Sequence, residues 1–214
     1  MLQLSLETSA ADPRFFERAA YRRGYKLVSG IDEVGRGPLA GPVVAAAVVL
    51  PHQVELPGVR DSKQLTAAQR EACREEILAC ALAVGIGCVD PAEIDRVNIL
   101  QATFKAMLQA VENLEVRPDF LLLDGPYTLP IPIPQKGIPR GDRRCLSIAA
   151  ASIVAKVHRD RLMCEYHAHY PVYDFARNKG YGTAHHLEAL KRHGPCPLHR
   201  LSFRGVVSCA AGTN

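Results

Sequence analysis

The stretch "KLVSGIDEVGRGPLAGPVVAAAVVL", residues 26–50, holds two apolar runs joined by a glycine-rich segment. Lys26–Ile31 and Pro42–Leu50 are rich in Val and other apolar residues over the length of a strand, so we predict two β-strands. Their short connection favours antiparallel pairing, which we expect at an edge of the sheet. The first strand ends in Asp32 and Glu33, and acids at a strand end indicate a functional site.

Strands and helices alternate along the rest of the chain, which is typical of an α/β sheet covered on both faces. "AVGIGCVD" (83–90) and "DFLLLDG" (119–125) are further predicted strands. Prolines exclude a helix from "YTLPIPIPQKGIPRGD" (127–142), which we expect to be extended. Helices are predicted to begin at Thr66, Asp90, Asn98, Ser147 and Thr183, the last ending at Gly194. The expected buried stripe of the helix from Asn98 consists of Leu100, Phe104, Met107, Leu108 and Val111.

The composition is that of a folded, mildly basic protein. Apolar residues make up 48% of the 214 residues, and the net charge is +4. The apolar runs are strand-sized, so we expect no membrane partner, and the first residues lack the features of a secretory signal. Seven cysteines without a CxxC pair indicate reduced thiols. We therefore expect a cytoplasmic protein.

Acidic side chains end two apolar strands: Asp32 and Glu33 follow "LVSGI", and Asp124 follows "FLLL". Adjacent strand residues point to opposite faces, so we expect a backbone twist after Gly30 to bring both of the first two acids into one pocket. Crowded carboxylates repel each other unless a cation neutralises them, and hard oxygen ligands favour Mg²⁺ or Mn²⁺. Two such ions support in-line phosphoryl displacement. The alternative is that each acid is a cap or a surface ion-pair partner.

The glycine–arginine–glycine segment and Asp142 each allow two interpretations. Gly35 and Gly37 have no Cβ, so a sugar or phosphate can approach the backbone, with Arg36 adding a charged contact. The alternative is a hairpin turn with a solvated arginine. Asp142 stands among arginines in "PRGDRRC", where it is either a further metal ligand or an arginine-paired loop acid.

Six stretches of the chain occur in a characteristic order between Gly30 and Phe203: "GIDEVGRGPLAGPVVAAAVVL", "DSKQL", "LLLDG", "SIAAASIVAKVHRDR", "NKGYGTAHH" and "HRLSF". In that order they resemble ribonuclease HII, the type 2 ribonuclease H. The first stretch combined with the fourth is specific to this family and is not a generic short motif.

The resemblance implies a fold and a reaction. The fold would be a ribonuclease-H-like mixed β-sheet flanked by helices, with a small helical C-terminal part. We expect an N-terminal arm or helix at 1–24, the catalytic domain at 25–169, and a C-terminal helical segment at 170–214 that completes the substrate cleft. The reaction would hydrolyse the RNA strand of RNA/DNA hybrids and cut 5′ of ribonucleotides embedded in duplex DNA, leaving 3′-hydroxyl and 5′-phosphate ends, as in ribonucleotide excision repair.

The resemblance also implies residue roles. Four acids match the family's catalytic, metal-binding carboxylates, which hold Mg²⁺ or Mn²⁺: Asp32, Glu33, Asp124 and Asp142. Six residues belong to the expected substrate-binding set: Gly35, Arg36, Gly37, Lys63, Lys179 and Tyr181. In that set the glycine–arginine–glycine segment would read 2′-hydroxyls. The tyrosine would stack on the deoxyribose that follows the ribonucleotide, and the lysines would approach phosphates.

Two stretches depart from the family pattern. "GDRRC" stands where Gly-Asp-Ser or Gly-Asp-Ala is common, and "GPYTLPIPIP" has proline where asparagine is common. These departures bear on Asp142, the fourth proposed ligand. The C-terminal "VVSCAAGTN" has no glutamine-and-aromatic motif of the sliding-clamp type, so we expect a monomer without a clamp tether.

Three other function classes fit part of the sequence. Another phosphoryl-transfer enzyme, such as a phosphatase or an exonuclease, would use the same acids and metals. A non-enzymatic nucleic-acid-binding protein would need basic and aromatic residues but no acidic cluster. A zinc protein would need four well-placed ligands. The candidates are His193, Cys196 and His199 in "HGPCPLH", with His185 and His186 upstream, but this stretch is more typical of a turn after a helix.

Overall fold

Five β-strands form one mixed sheet in the computed structural model, which describes residues 12–59 and 64–206. The strands are β1 (Val28–Val34), β2 (Val43–Val49), β3 (Ala83–Val89), β4 (Phe120–Asp124) and β5 (Gln135–Ile138). They lie in the order β3–β2–β1–β4–β5. The helices are α1 (Phe15–Arg22), α2 (Ala67–Cys80), α3 (Pro91–Val97), α4 (Ile99–Glu112), α5 (Leu146–His169), α6 (Phe175–Asn178) and α7 (Ala184–His193).

The sheet has an antiparallel half and a parallel half. β1 pairs antiparallel with β2, and β2 with β3, whereas β4 runs parallel to β1 and β5 parallel to β4. The antiparallel pairing of the first two strands is confirmed. Their predicted place at an edge is wrong, because β3 covers the outer side of β2 and β4 covers the outer side of β1. As a result, the C-terminal ends of β1 and β4 lie side by side.

Helices cover both faces of the sheet, as predicted. On one face, α5 packs against β2 at Val44 and Val48, and α2 packs against α5. On the other face, α4 packs against β2 at Val43 and Ala47. β2 is buried along its whole length. Within the described ranges, no helix combines the length and the apolar character that crossing a bilayer requires.

Two glycines of β3 let α4 pack very close to the sheet. A Cβ on Gly85 or Gly87 would lie 2.0 Å from the carbonyl oxygen of Ala110 or Ala106, so both positions require glycine. Mostly small side chains fit such a contact, and α4 therefore buries Ala102, Thr103, Ala106, Met107 and Ala110. The predicted stripe is wrong except at Met107. Its other members are half-buried at the flanks of the contact: Leu100, Phe104, Leu108 and Val111.

Local sequence signals placed the helix ends well. The predicted caps Thr66, Asp90 and Asn98 each accept a backbone N–H at the start of a helix, and Gly194 ends α7. α5 starts one residue before the predicted Ser147. The proline-rich segment is not extended throughout, because β5 is followed by a 3₁₀ turn at Gly141–Arg143.

α1 supplies a cap for α5. Cys145, at the N-cap position of α5, makes no capping bond with its side chain. Instead the buried carboxylate of Glu17 accepts hydrogen bonds from Ser147 N at 2.8 Å and Ser147 Oγ at 2.9 Å. A negative charge at this position also faces the positive end of the helix dipole. The contact therefore fixes the start of α5 from a distant part of the chain.

We expect Glu17→Ala to lower the free energy of unfolding by about 2 kcal/mol, because buried donors lose a charged acceptor. Urea denaturation followed by circular dichroism measures the change. Glu76→Ala, at an exposed position of α2, is the control and should change the value by at most about 0.5 kcal/mol. Equal unfolding midpoints for the wild type and Glu17→Ala would contradict the capping role.

Candidate active site

Asp32 and Asp124 lie at the ends of neighbouring parallel strands. Ile31 stands opposite Leu123 in the pairing of β1 with β4, so the acid that follows each of them reaches the same edge of the sheet. Asp32 is buried, and the hydroxyl of Ser152 on α5 donates a hydrogen bond to its carboxylate. The face of the sheet that α5 covers therefore holds the Asp32 side chain.

Glu33 points to the opposite face of the sheet, towards α4. β1 keeps a continuous antiparallel pairing with β2 through both acids, so the twist predicted after Gly30 is wrong. Glu33 lines a cavity of about 80 Å³ together with Arg36 and Asp124. Asp124, at the end of its strand, is electrostatically coupled to Asp32 on one side and to Glu33 on the other. The acids thus share one edge without a distortion of β1.

The turn that carries Asp142 docks directly on Asp124. Gly141 N donates a hydrogen bond of 2.6 Å to Asp124 Oδ1, and a Cβ on Gly141 would lie 3.3 Å from that oxygen. Asp142 itself is buried. The departure "GDRRC" therefore does not remove this acid from the edge of the sheet where the other acids lie.

The carboxylates are held under mutual repulsion. Burial raises the pKa of Asp32 well above its usual value, and the charges of Glu33 and Asp124 raise it further. Burial also raises the pKa values of Glu33 and Asp124, and the charge of Asp142 adds to the effect on Asp124. Arg36, 3.1 Å from Glu33, opposes the rise at that acid. A bound cation would relieve this repulsion.

The donor set fits a hard divalent cation, since it consists of carboxylate oxygens of the kind that Mg²⁺ and Mn²⁺ prefer. Across residues 12–59 and 64–206, no three Asp, Glu, His or Cys side chains are already close enough together to form a metal-binding group. Metal binding therefore requires side chains to rotate towards a common point. Glu33 and Asp124 are only partly buried and have room to do so.

The glycine–arginine–glycine segment runs beside the acids. Gly35 has a φ of +93°, and a Cβ there would lie 2.4 Å from Arg159 Nε, so this position requires glycine. The exposed Arg36 forms an ion pair with Glu33, which links the segment to the acidic edge. The arginine is therefore not the freely solvated side chain of the hairpin interpretation.

Tyr181 lies against this segment. A Cβ on Gly37 would be 3.7 Å from the Tyr181 ring, and 47% of the tyrosine is exposed. The ammonium group of Lys179 lies elsewhere, on α5, 3.1 Å from Cys164 Sγ and 3.4 Å from Asp160 O. The predicted Lys63 lies outside the described residues. The structure thus brings Tyr181 to the segment but does not bring the Lys179 side chain there.

Comparison with known proteins identifies the family. The sequence model described as ribonuclease HII matches residues 29–206. The chain belongs to the ribonuclease HII family. It is 70% identical over 201 residues to the ribonuclease HII of Syntrophobacter fumaroxidans, covering 94% of this chain and 86% of that protein. It is 59% identical over 191 residues to the ribonuclease HII of Geobacter metallireducens, covering 89% of this chain and 90% of that protein.

Solved structures agree with this family assignment. The ribonuclease H2 of Pyrococcus horikoshii OT3 gives a TM-score of 0.73 at 25% identity, covering 88% of this chain and 100% of that one. Bst-RNase HIII, solved in complex with Mn²⁺, gives a TM-score of 0.71 at 22% identity, covering 99% of this chain and 77% of that one. The mixed sheet with flanking helices is the ribonuclease-H-like fold that the resemblance implied. As a ribonuclease HII family member the chain is an endoribonuclease, which excludes the phosphatase and the non-enzymatic interpretations.

Sequence reasoning missed several residues around the site of this ribonuclease HII family member. Ser152 belongs to "SIAAASIVAK", whose small residues suggested packing alone. Tyr127 is 49% exposed and lines the cavity with Glu33, and an aromatic residue so soon after a strand-end acid was an available signal. Arg159 and Arg200 are fully buried, and no local pattern announces a buried arginine.

The histidines that suggested zinc are occupied by hydrogen bonds. His186 Nε2 and His199 Nε2 lie 3.0 Å apart. His186 Nδ1 lies 2.9 Å from Tyr181 O, and His199 Nδ1 accepts from Cys196 N at 2.9 Å. Both nitrogens of both rings therefore have protein partners, which removes two of the ligands that the zinc alternative requires.

This histidine pair predicts a loss of stability in mild acid. Burial lowers the pKa of His186 and lowers that of His199 to about 4, with the charge of His186 adding to the effect. A histidine with a lowered pKa in the folded state stabilises the protein above its unfolded pKa of about 6.5, and this contribution is lost as the pH falls towards 4. We expect the stability advantage of the wild type over His199→Asn to shrink between pH 7 and pH 4.5.

Urea denaturation of both proteins at several pH values measures this difference. Titrating groups away from this histidine pair, including the acids with raised pKa values, are common to the two proteins and cancel. Parallel curves across the whole pH range would show that His199 does not titrate as described.

Proposed function

We propose that the chain hydrolyses the RNA strand of RNA/DNA hybrids and cuts 5′ of ribonucleotides embedded in duplex DNA, leaving 3′-hydroxyl and 5′-phosphate ends. The position of the Tyr181 ring next to Gly37, beside the acidic edge of the sheet, carries this proposal. Only a 2′-hydroxyl distinguishes ribose from deoxyribose at a given sugar, and exposed glycine backbone beside carboxylates is suited to contact it. The family assignment supports the same class of substrate.

Four acids would hold Mg²⁺ or Mn²⁺: Asp32, Glu33, Asp124 and Asp142. Divalent ions bound there would supply activation of the attacking water and neutralisation of charge on the leaving oxygen, by two-metal-ion phosphodiester hydrolysis. The protein orients the ligands through neighbouring donors. The Ser152 hydroxyl bonds the carboxylate of Asp32, and Gly141 N bonds that of Asp124.

The segment Gly35–Gly37 would contact the ribose, and the exposed ring of Tyr181 would stack on the sugar that follows. Such stacking leaves little room for an additional hydroxyl, so it favours deoxyribose there and hence an RNA–DNA junction. Lys63 and Lys179 would approach phosphates, which position a nucleic acid without reading its sequence. We propose that the protein does this as a cytoplasmic monomer, in which the C-terminal segment predicted at 170–214 completes the cleft. Residues 207–214 of that segment lie outside the described residues.

We expect Asp124→Asn to lower the rate of cleavage by about 100-fold or more, equivalent to about 2.7 kcal/mol of transition-state stabilisation. The substrate is a DNA duplex with one embedded ribonucleotide, incubated with Mg²⁺ and then with Mn²⁺, beside an all-DNA duplex. Glu112→Gln, at an exposed position of α4, is the matched control and should cleave like the wild type. Cleavage by folded Asp124→Asn at the wild-type rate at saturating Mg²⁺ would refute the metal assignment.

We expect Tyr181→Ala to weaken the preference for a junction. The ratio of kcat/KM for the single-ribonucleotide duplex to that for a continuous RNA/DNA hybrid should fall about tenfold, equivalent to about 1.4 kcal/mol, because the ring that packs on the deoxyribose is removed. Tyr181→Phe retains the ring and should retain the ratio. An equal loss on both substrates would argue against the stacking role.

A further inference from the structure

The side chain of Arg200 is fully buried and binds backbone carbonyls. Its Nε donates to Gly41 O at 3.0 Å, its Nη1 to Arg36 O at 3.0 Å, and its Nη2 to Gly35 O at 2.5 Å. Its guanidinium carbon lies 5.0 Å from the centre of the Phe203 ring. One side chain therefore holds the backbone on both sides of the turn that contains the glycine–arginine–glycine segment.

Arg159, on α5, is also fully buried and extends the same arrangement. Its Nε donates to Pro42 O at 2.9 Å, its Nη2 to Ala40 O at 3.0 Å, and its Nη1 to Lys179 O at 2.9 Å. The last bond reaches the turn that precedes Tyr181. The two guanidinium groups thus tie the glycine–arginine–glycine segment to the loop that carries the tyrosine.

This arrangement is electrostatically unfavourable by itself. Burial lowers the pKa of Arg200 to about 9, and the nearby charge of Arg159 adds to the effect. Replacing buried charges by apolar side chains of similar volume is often neutral or stabilising. Two adjacent buried cations that bind carbonyl oxygens are therefore better explained by the backbone geometry that they impose than by a gain in stability.

His199, the neighbour of Arg200, acts on Tyr181 by a second route. Because Cys196 N donates to His199 Nδ1, the neutral ring carries its hydrogen on Nε2 and donates it to His186 Nε2. His186 then carries its hydrogen on Nδ1 and donates it to Tyr181 O. Each group in this series donates to the next, from Cys196 through His199 and His186 to Tyr181 O, and the last bond fixes the backbone of the tyrosine.

We infer that Arg200 and His199 are positioning residues, which hold the segment Gly35–Gly37 and the backbone of Tyr181 in one fixed arrangement for the recognition of ribose. The inference rests on the proposed function. It specifies how two segments far apart in the sequence are kept in register with each other. Arg159 supports the arrangement by joining the backbone at Ala40 and Pro42, which follows the segment, to that of Lys179, which precedes Tyr181.

The test uses Arg200→Lys in the full-length protein. A lysine ammonium group cannot reproduce the planar fork that binds several carbonyls at once. We expect kcat/KM to fall about tenfold or more on both the single-ribonucleotide duplex and the continuous hybrid, mainly through KM. The Mg²⁺ concentration that gives half the maximal rate should not change, because the acids are untouched.

His199→Asn tests the second route. Asparagine can still accept from Cys196 N but cannot reach His186, so the link to Tyr181 is lost. We expect the ratio of kcat/KM for the single-ribonucleotide duplex to kcat/KM for the continuous hybrid to fall at least threefold. Arg14→Lys is the matched control, since Arg14 also donates to backbone carbonyls, those of Pro51, His52 and Val54, away from the acids.

Arg14→Lys should lower thermal stability and leave both kcat/KM values unchanged. If folded Arg200→Lys and His199→Asn both show wild-type kinetics, the inference is overturned but the proposed function is not. The same holds if Arg14→Lys loses as much activity as Arg200→Lys. If Arg200→Lys does not fold, Arg159→Lys carries the same test. If the wild type cleaves neither substrate, the proposed function fails, and the inference fails with it.

Discussion

The parallel pairing of β1 with β4 is the constraint on which the site depends. It sets Ile31 opposite Leu123 and so brings Asp32 and Asp124 to one edge, although the two acids are far apart in the sequence. Parallel strands require a long crossover, which here includes β2, β3 and α4. The acids therefore meet only when β4 has paired with β1 across that crossover. α5 then packs closely, since a Cβ on Gly30 would lie 2.2 Å from the Ser147 carbonyl carbon, and this brings Ser152 to the same edge.

The distribution of charge follows from this geometry. Carboxylates with raised pKa values lie on one side of the glycine–arginine–glycine segment, and Arg159 and Arg200 are buried on the other. Direct pairing of the two groups would lower the electrostatic cost of both. Instead the acids stay available to cations, and the arginines bind backbone. Arg36 joins the two sides through its ion pair with Glu33.

The predictable features are those set by residues close together in the sequence. Apolar runs and caps act within a few positions, which is why the first two strands and caps such as Thr66 were predicted correctly. The place of β1 in the sheet and the buried face of α4 depend on distant partners, and both predictions failed. Strand alternation correctly put Asp32 and Glu33 on opposite faces, and the strand end at Asp124 was predicted as well. The electrostatic coupling of Asp124 to both of the other acids required the tertiary structure. Arg200 was missed because its acceptor Arg36 O is 164 residues away.

The glycines explain why distant arginines are needed. A segment that brings its backbone against a ligand cannot carry side chains that block the approach, which favours glycine at position 37. At position 35 the positive φ and the packing of Arg159 require glycine. The same absence of side chains leaves the segment without packing contacts of its own, and glycine loses more conformational freedom on folding than any other residue. Order must then come from outside the segment. Carbonyl oxygens are the groups that glycine still offers for this purpose, and a buried guanidinium can bind several of them at once. Arg200 supplies those donors from the C-terminal part of the chain, so the segment is ordered only when that part is docked on the sheet.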